Sequence, residues 1–321
     1  MKRSILFALA SAFLATILGG GRADATTYAF TTLDAPTAGT GTGYYNGTDA
    51  AGISGSTIVG SIHRNQSNVS GYTYTNGVYT ILDFPGTNGH TFANGVFGNT
   101  VVGYYWNGYS YNGFSETNGV YTHLDNPSAG TGYGQGTVPI GISGSTVVGA
   151  YWDSAGRVHG YSETGGIYSI VDAPSSTTSV VCGIYGSTLE GYFANGTGTH
   201  GFTETGGVYT TLDVPGATLT SVYGIYGSTV VGYFIDTAGS AHGFTETGGV
   251  YTTVDVPGST YVTLNGIYGS TLVGWYADAT NHWHGFVATP VPEPASLALL
   301  AFGGVGLLAH RRKGVGAFVG R

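Results

Sequence analysis

One nine-residue pattern recurs six times along this chain. G-x-x-G-[SN]-T-x-x-G begins at Gly52, Gly95, Gly141, Gly183, Gly224 and Gly266, at spacings of 43, 46, 42, 41 and 42 residues. A period of that size constrains the fold more than length does. Each copy must be one supersecondary unit that buries its apolar face against its neighbours. Inside each copy, Gly-Ser or Gly-Asn (Gly55-Ser56, Gly98-Asn99 and their equivalents) separates β-branched and aromatic residues. That is the signature of a tight hairpin between two strands, a and b.

A loop of variable length follows, then a third strand c ending in Glu-Thr and a turn such as Asn118-Gly119, Gly165-Gly166, Gly206-Gly207 or Gly248-Gly249. A fourth strand d closes on Asp-x-Pro. Proline lacks a backbone donor and stops a ladder, and it recurs at Pro36, Pro85, Pro127, Pro174, Pro215 and Pro257. Four short antiparallel strands in 40-odd residues have the size of a propeller blade.

The pieces do not divide evenly. One d strand, residues 28–36, stands before the first a strand, and the last a-b-c set runs into the C-terminal tail without a d strand. Pairing the orphan with the incomplete set hides edges that otherwise template aggregation. The sequence therefore predicts an all-β fold, a six-bladed β-propeller over residues 26–290 closed by the N-terminal strand joining the last blade. A linear β-solenoid is the rival, and it would leave those strands at opposite ends of a rod.

Charged residues are 8% of the chain, against about 25% in an average soluble protein. Seven of the nine basic residues lie in the terminal segments. Between Thr26 and Val291 only Arg64 and Arg157 face 15 acids, a formal charge of 2 − 15 = −13. Phosphate backbones are repelled by such a body, so no nucleic-acid partner is expected. The single cysteine, Cys182, excludes an intramolecular disulfide and reads as a packed residue.

Both ends carry address labels. Lys2 and Arg3, an apolar run over residues 5–18, three glycines and Ala23-Asp24-Ala25 make a secretory signal peptide over residues 1–25, with signal peptidase as its partner. At the other end Val291-Pro292-Glu293-Pro294 leads into an apolar helical stretch over residues 295–309 and then a basic cluster, Arg311, Arg312 and Lys313. Basic residues resist translocation, which leaves the repeats outside. About 15 residues of helix rise only ~22 Å against a ~30 Å hydrocarbon core, a transient anchor rather than a durable span. Helical signal segments are thus expected at both termini.

The tripartite tail, residues 291–321, resembles the PEP-CTERM sorting signal. The resemblance implies recognition by an exosortase-type membrane protease that cuts near Pro292 to Pro294, in organisms that make exopolysaccharide. In that family the signal usually ends soon after the basic cluster, whereas this chain continues to Arg321. The H-G-[FY] rhythm at His159, His200, His242 and His284 resembles HAF-type extracellular repeats, with Gly in place of their middle Ala.

Residues that recur once per unit are expected to build the unit. The H-G-[FY] histidines would lie too far apart around a ring to share one metal ion, and neither a metal nor a cofactor is expected. The Asp of Asp-x-Pro is expected to accept backbone N–H groups of the turn that follows. Catalysis needs groups that break symmetry. Glu190 does so, standing where the other copies have Val59, Val102, Val148, Val231 and Val273, but no second acid pairs with it in sequence. His63 and Arg64 also depart from the pattern and are assigned to the b-to-c loop. Aromatic residues at those loops, Trp106, Trp152, Trp275 and Trp283 foremost, are possible ligand-binding residues that could stack on sugar rings.

The sequence thus reads as a non-enzymatic exported protein, transiently membrane-anchored and then displayed at the cell surface or in the extracellular matrix. Its expected role in exopolysaccharide is structural or adhesive. The alternatives are a lectin-like polysaccharide-binding propeller and, less favoured, a polysaccharide-cleaving enzyme that uses Glu190.

Overall fold

A computed structural model describes residues 27–40, 46–65, 67–87 and 90–291. The expected signal segment over residues 1–25, and Pro292, Glu293, Pro294, Arg311, Arg312 and Lys313, lie outside the described residues. Within them the chain is all β, with 25 strands and no helix.

The third unit shows the plan. Strand a, Gly136–Ser143, pairs antiparallel with b, Thr146–Trp152; b pairs with c, Val158–Thr164; and c pairs with d, Ile167–Ile170. The three glycines of the recurrent motif have three separate physical reasons, shown here in the second unit. Gly98 adopts φ 59° in the a–b turn, a left-handed conformation that glycine takes without steric cost. A Cβ on Gly103 would lie 2.0 Å from the carbonyl oxygen of Phe92, which a bulge between Ala93 and Gly95 pushes toward strand b. A Cβ on Gly95 would lie 2.6 Å from the Ile140 carbonyl oxygen and 3.1 Å from Cα of Gly141 in the next unit.

That last contact repeats. Gly141 meets Gly183, Gly224 meets Gly266, and Gly266 meets Gly52, so motif glycines of successive units face each other backbone to backbone around a central cavity of about 310 Å³. Each unit also buries the aromatic residue of its H-G-[FY] or equivalent triplet. Tyr72, Phe114, Tyr161, Phe202, Phe244 and Phe286 are fully buried, each removal from water contributing about 1.5–3 kcal/mol.

Units are joined at the end of the strands that carries the b-to-c loops, here called the upper face. There the first residues of c meet the first residues of the next a in parallel bridges: Tyr111 with Gly136, Val158 with Thr178, Ala241 with Tyr261, and Trp283 with Gly47. The ladders form paths of 13 and 12 strands rather than one circuit. The paths part at two junctions. One isolated bridge, Val69 with His90, crosses the first. At the second, Gly198–Thr205 and Leu219–Tyr226 meet through side chains, with Val222 Cγ2 against Gly201.

The orphan strand finds the partner expected for it. Tyr28–Leu33 runs antiparallel to Trp283–Pro290, in a register that sets Tyr28 opposite Pro290 and Leu33 opposite Gly285. Val291 N–H then donates to the Thr27 carbonyl at 2.7 Å. The two ends of the described fold therefore meet where the other units have their c–d turn, on the lower face.

A buried hydroxyl ties the d strand to the next unit at five of the six junctions, a feature not foreseen from sequence. The N–H of the residue inside Asp-x-Pro donates to Thr48 from Ala35, to Thr91 from Phe84, to Ser179 from Ala173 and to Thr220 from Val214, at 2.9–3.0 Å. Asn126 and Thr137 make the same bond at 2.8 Å. Each hydroxyl stands four residues before a motif glycine, a signal present in the sequence; the sixth copy has Val262 there.

Candidate functional site

The four tryptophans singled out from sequence are all half-buried on the upper face, and a chain of ring contacts joins them. Trp275 stacks on Trp283 with centroids 4.6 Å apart, and Trp283 meets the His63 ring edge-on at 5.2 Å. Phe92 follows His63 at 6.1 Å and stacks on Tyr104 at 4.6 Å; Tyr104 meets Tyr111 at 5.6 Å, and Tyr111 stacks on Trp152 at 5.2 Å. In the other direction Trp275 stacks on Tyr261 at 5.1 Å, and the contacts continue through Tyr233 and Tyr223 to Tyr192. This belt crosses unit boundaries, and its inner rings are packing surface. Burial is the largest cause that pushes the hydroxyl pKa upward at Tyr192 and Tyr104, with Cys182 and Tyr233 adding to it at Tyr192 and Tyr111 and Asp49 at Tyr104.

Between the second and third units the belt opens to solvent. Trp106 packs on Tyr111 at 4.9 Å and meets Tyr133 edge-on at 5.6 Å, while Tyr109 meets Tyr133 at 5.7 Å. Tyr133 is 73% exposed and Tyr109 53%. Tyr133 comes from the longer connection that makes this spacing 46 residues. The connection is stitched to both units: Tyr111 N–H donates to the Gln135 carbonyl at 2.9 Å, Gly134 N–H to the Tyr109 carbonyl at 2.9 Å, and Gly130 N–H to the Trp152 carbonyl at 2.7 Å. Trp106, Tyr109, Tyr111, Tyr133 and Trp152 thus form a fixed aromatic platform. Sequence reasoning found the two tryptophans; it missed Tyr109 and Tyr133, which lie outside the repeat and lacked a register to place them.

The H-G-[FY] histidines tie strands together within a unit. His159 Nδ1 lies 2.7 Å from Asp172, His242 Nδ1 2.8 Å from Asp255, His200 Nδ1 3.0 Å from Asp213 and His284 Nδ1 2.9 Å from Asp34. In three of them the other ring nitrogen faces a b-to-c loop acid: Asp153 at 3.3 Å, Asp236 at 3.4 Å and Asp278 at 3.5 Å. Burial works to lower the His242 pKa, but hydrogen bonds and charge from Asp255 and Asp236 outweigh it and raise the pKa. Asp236 is held below the usual carboxylate range first by the Ser240 N–H, and Asp278 first by the Thr280 hydroxyl. Among the described residues no group of three or more His, Cys, Asp or Glu is arranged to hold a metal ion.

Two sequence expectations are corrected. The Asp of Asp-x-Pro reaches back to strand c instead of locking its own turn. Asp125 accepts from Gly113 N–H at 2.9 Å, and Asp172 from Gly160 N–H at 3.2 Å. The turn's first N–H is already taken by the buried hydroxyl of the next unit, which frees the carboxylate for the histidine. His63 does not sit in a loop. It lies in strand Thr57–Asn65, 4% exposed, with Nε2 2.8 Å from Asp49. Arg64 follows it in the same strand and donates to Ser70 at 2.8 Å.

Glu190 is fully buried, and neither carboxyl oxygen has a hydrogen-bond partner within the described protein. Its Oε1 stands 2.3 Å from where a Cβ of Gly183 would be. Desolvation raises its pKa well above the carboxylate range, and it helps burial to raise that of the Cys182 thiol, which lines the central cavity. Strand c glutamates do a different job: Glu116, Glu163, Glu204 and Glu246 each accept the N–H of the glycine at the second position of the c–d turn.

Residues 290–313 match the PEP-CTERM protein-sorting motif. No curated protein matches the chain in sequence. Among solved structures the chain is similar to an AofleA mutant from Arthrobotrys oligospora, at 13% identity and TM-score 0.50 over 81% of this chain and 86% of that one. Weaker likenesses are to the β-propeller domain of the Trilobed protease from Pyrococcus furiosus (7% identity, TM-score 0.48, 75% of this chain and 92% of that one) and to the fucose-specific lectin from Aleuria aurantia (12%, 0.45, 80% and 99%). At these identities the likeness is one of fold alone.

Proposed function

We propose that this is a non-enzymatic exported protein, handed by its tail to an exosortase-type system and displayed at the cell surface or in an exopolysaccharide matrix, where it has a structural or adhesive role. The observation that carries the reading is the sorting motif at residues 290–313, which begins at the last residue of the last strand. In this reading the six units are six blades of a closed propeller, akin to HAF-type extracellular repeats. Three features support closure: the bridge between Trp283 and Gly47, the pairing of Tyr28–Leu33 with Trp283–Pro290, and the facing motif glycines. Signal peptidase removes residues 1–25, and the apolar stretch over residues 295–309 anchors the protein only until it is processed.

A second, lectin-like reading is favoured by the platform of Trp106, Tyr109, Tyr111, Tyr133 and Trp152, since flat rings exposed in fixed positions stack on sugar faces. Trp275 and Trp283, stacked on each other, contribute packing first. The cleaving-enzyme reading is the least supported: Glu190 is closed off from solvent and faces no second acid.

Replacing Pro292 and Pro294 by alanine tests the sorting reading. The expected result is a full-length precursor retained in the membrane fraction, with the wild-type mature C-terminus located near residues 292–294 by mass spectrometry. Unchanged size and release of the variant would overturn it.

A further inference from the structure

The direction of one strand separates the attachment point from the aromatic surface. Trp283 begins the last c strand on the upper face, where its ring joins the aromatic belt, and Pro290 ends that strand on the lower face. Eight residues of strand span roughly 25 Å at ~3.3 Å each. The sorting motif starts at that lower end with no spacer, because Val291 is still hydrogen-bonded to Thr27. Beside it on the same face lies the a–b turn of the last unit, Gly269-Ser270, which shares a shallow pocket with Tyr28. The platform of Trp106, Tyr109 and Tyr133 lies on the upper face, at the far end of the strands.

We infer that a copy held through its C-terminus stands with the lower face against the anchoring surface and turns the aromatic platform outward, toward uncharged polysaccharide. The inference rests on the sorting reading. Tail attachment two to four residues beyond Pro290 leaves no linker long enough to turn the body over. The choice of uncharged sugar follows from the body's formal charge of −13, which repels uronate or sulfated chains.

The buried Cys182 leaves the protein without an accessible thiol, so single cysteines report orientation. Thr237→Cys, in an upper-face b-to-c loop outside the platform, and Ser270→Cys, both at exposed positions, are made in the full-length chain and treated on intact cells with a bulky polyethylene-glycol maleimide. Detergent-solubilised cells give the reference in which both react alike. Thr237→Cys should react on intact cells as fast as in detergent, and Ser270→Cys at least fivefold more slowly. Equal protection of both, or faster reaction at Ser270→Cys, overturns the orientation while leaving sorting intact. Recovery of the protein free in the medium, with none on the cells or in their matrix, overturns the sorting reading, and the orientation with it.

Discussion

His284 Nδ1 donates to the Asp34 carboxylate at 2.9 Å across 250 residues of chain. The same bond joins neighbouring strands within a unit at His159–Asp172, His200–Asp213 and His242–Asp255. Here it joins the two ends of the fold. Asp34 is about half exposed, so the pair alone contributes ~1 kcal/mol or less. The strand just before Asp34, Tyr28–Leu33, contributes more, since Phe30 packs edge-on to the fully buried Phe286 at 5.7 Å and Leu33 is 4% exposed. Asp34→Ala should lower urea stability by no more than about 1 kcal/mol. Deleting residues 27–34 should cost several-fold more and promote aggregation through the bared edge of Trp283–Pro290. Equal losses would show that the end strand contributes nothing beyond the pair.

Stability should fall on both sides of a weakly acidic optimum. The folded-state pKa of His242 is raised, so its contribution is complete below the unfolded value of about 6.5 and is lost as pH rises through the folded value. Those of Asp153, Asp236 and Asp278 are lowered, so their contributions are present above about pH 4 and vanish as pH falls through the folded values. Thermal midpoints measured from pH 3 to pH 9 should peak between these limits. His242→Gln should flatten the alkaline decline specifically.

Glu190 adds to that decline. A buried acid with a raised pKa stabilises the fold below about pH 4.3 and loses that contribution as pH rises toward the folded value. Five of the six copies have valine at this position. Glu190→Val should therefore raise stability by about 1–3 kcal/mol at pH 4, the cost of an unpartnered buried polar group, and by more at pH 7, where the raised pKa adds to that cost. A loss at both pH values would mean that the carboxyl group has a partner in solution.

For the aromatic platform, the two tryptophan pairs should separate. Trp106→Ala and Trp152→Ala should each weaken binding to an uncharged polysaccharide about five- to thirtyfold, from roughly 1–2 kcal/mol of lost ring contact. The proteins should still unfold cooperatively. Trp275→Ala, whose ring is held between Tyr261 and Trp283, should lower the thermal midpoint and change binding little. Affinity electrophoresis in gels containing the polysaccharide reads out the first effect and calorimetry the second.

Hydroxyl ties between units give the sharpest local prediction. Thr91→Val keeps shape but strips the Phe84 N–H of its acceptor, which should cost about 1–3 kcal/mol. The sixth copy, with Val262 at the equivalent position, shows that the volume is tolerated.

Local chemistry was legible in the sequence wherever it repeated. Glycine turns, the terminating prolines and the unpaired strand over residues 28–36 gave the strand order, and the register of Tyr28 opposite Pro290 agrees with it. Contacts between units were harder to read, because a repeat marks a position without saying which neighbour it faces. The carboxylates of Asp125 and Asp172 were assigned to their own turn and instead bond strand c, since Thr137 and Ser179 already occupy that turn. Trp106 and Trp152 were legible as exposed aromatics, whereas their connection through Tyr111 depends on three-dimensional adjacency between units.

The first strand to leave the ribosome acquires its hydrogen-bonding partner only after Pro290 has been synthesised and delivered. Contacts this remote in sequence carry the largest loop-closure entropy and form late. A chain threaded through a membrane would thus accumulate partly assembled units, with Phe286 and the edge of the last strand uncovered, until its final residues arrive. Completion of the fold then coincides with arrival of the tail at the membrane, so translocation and maturation share one timer.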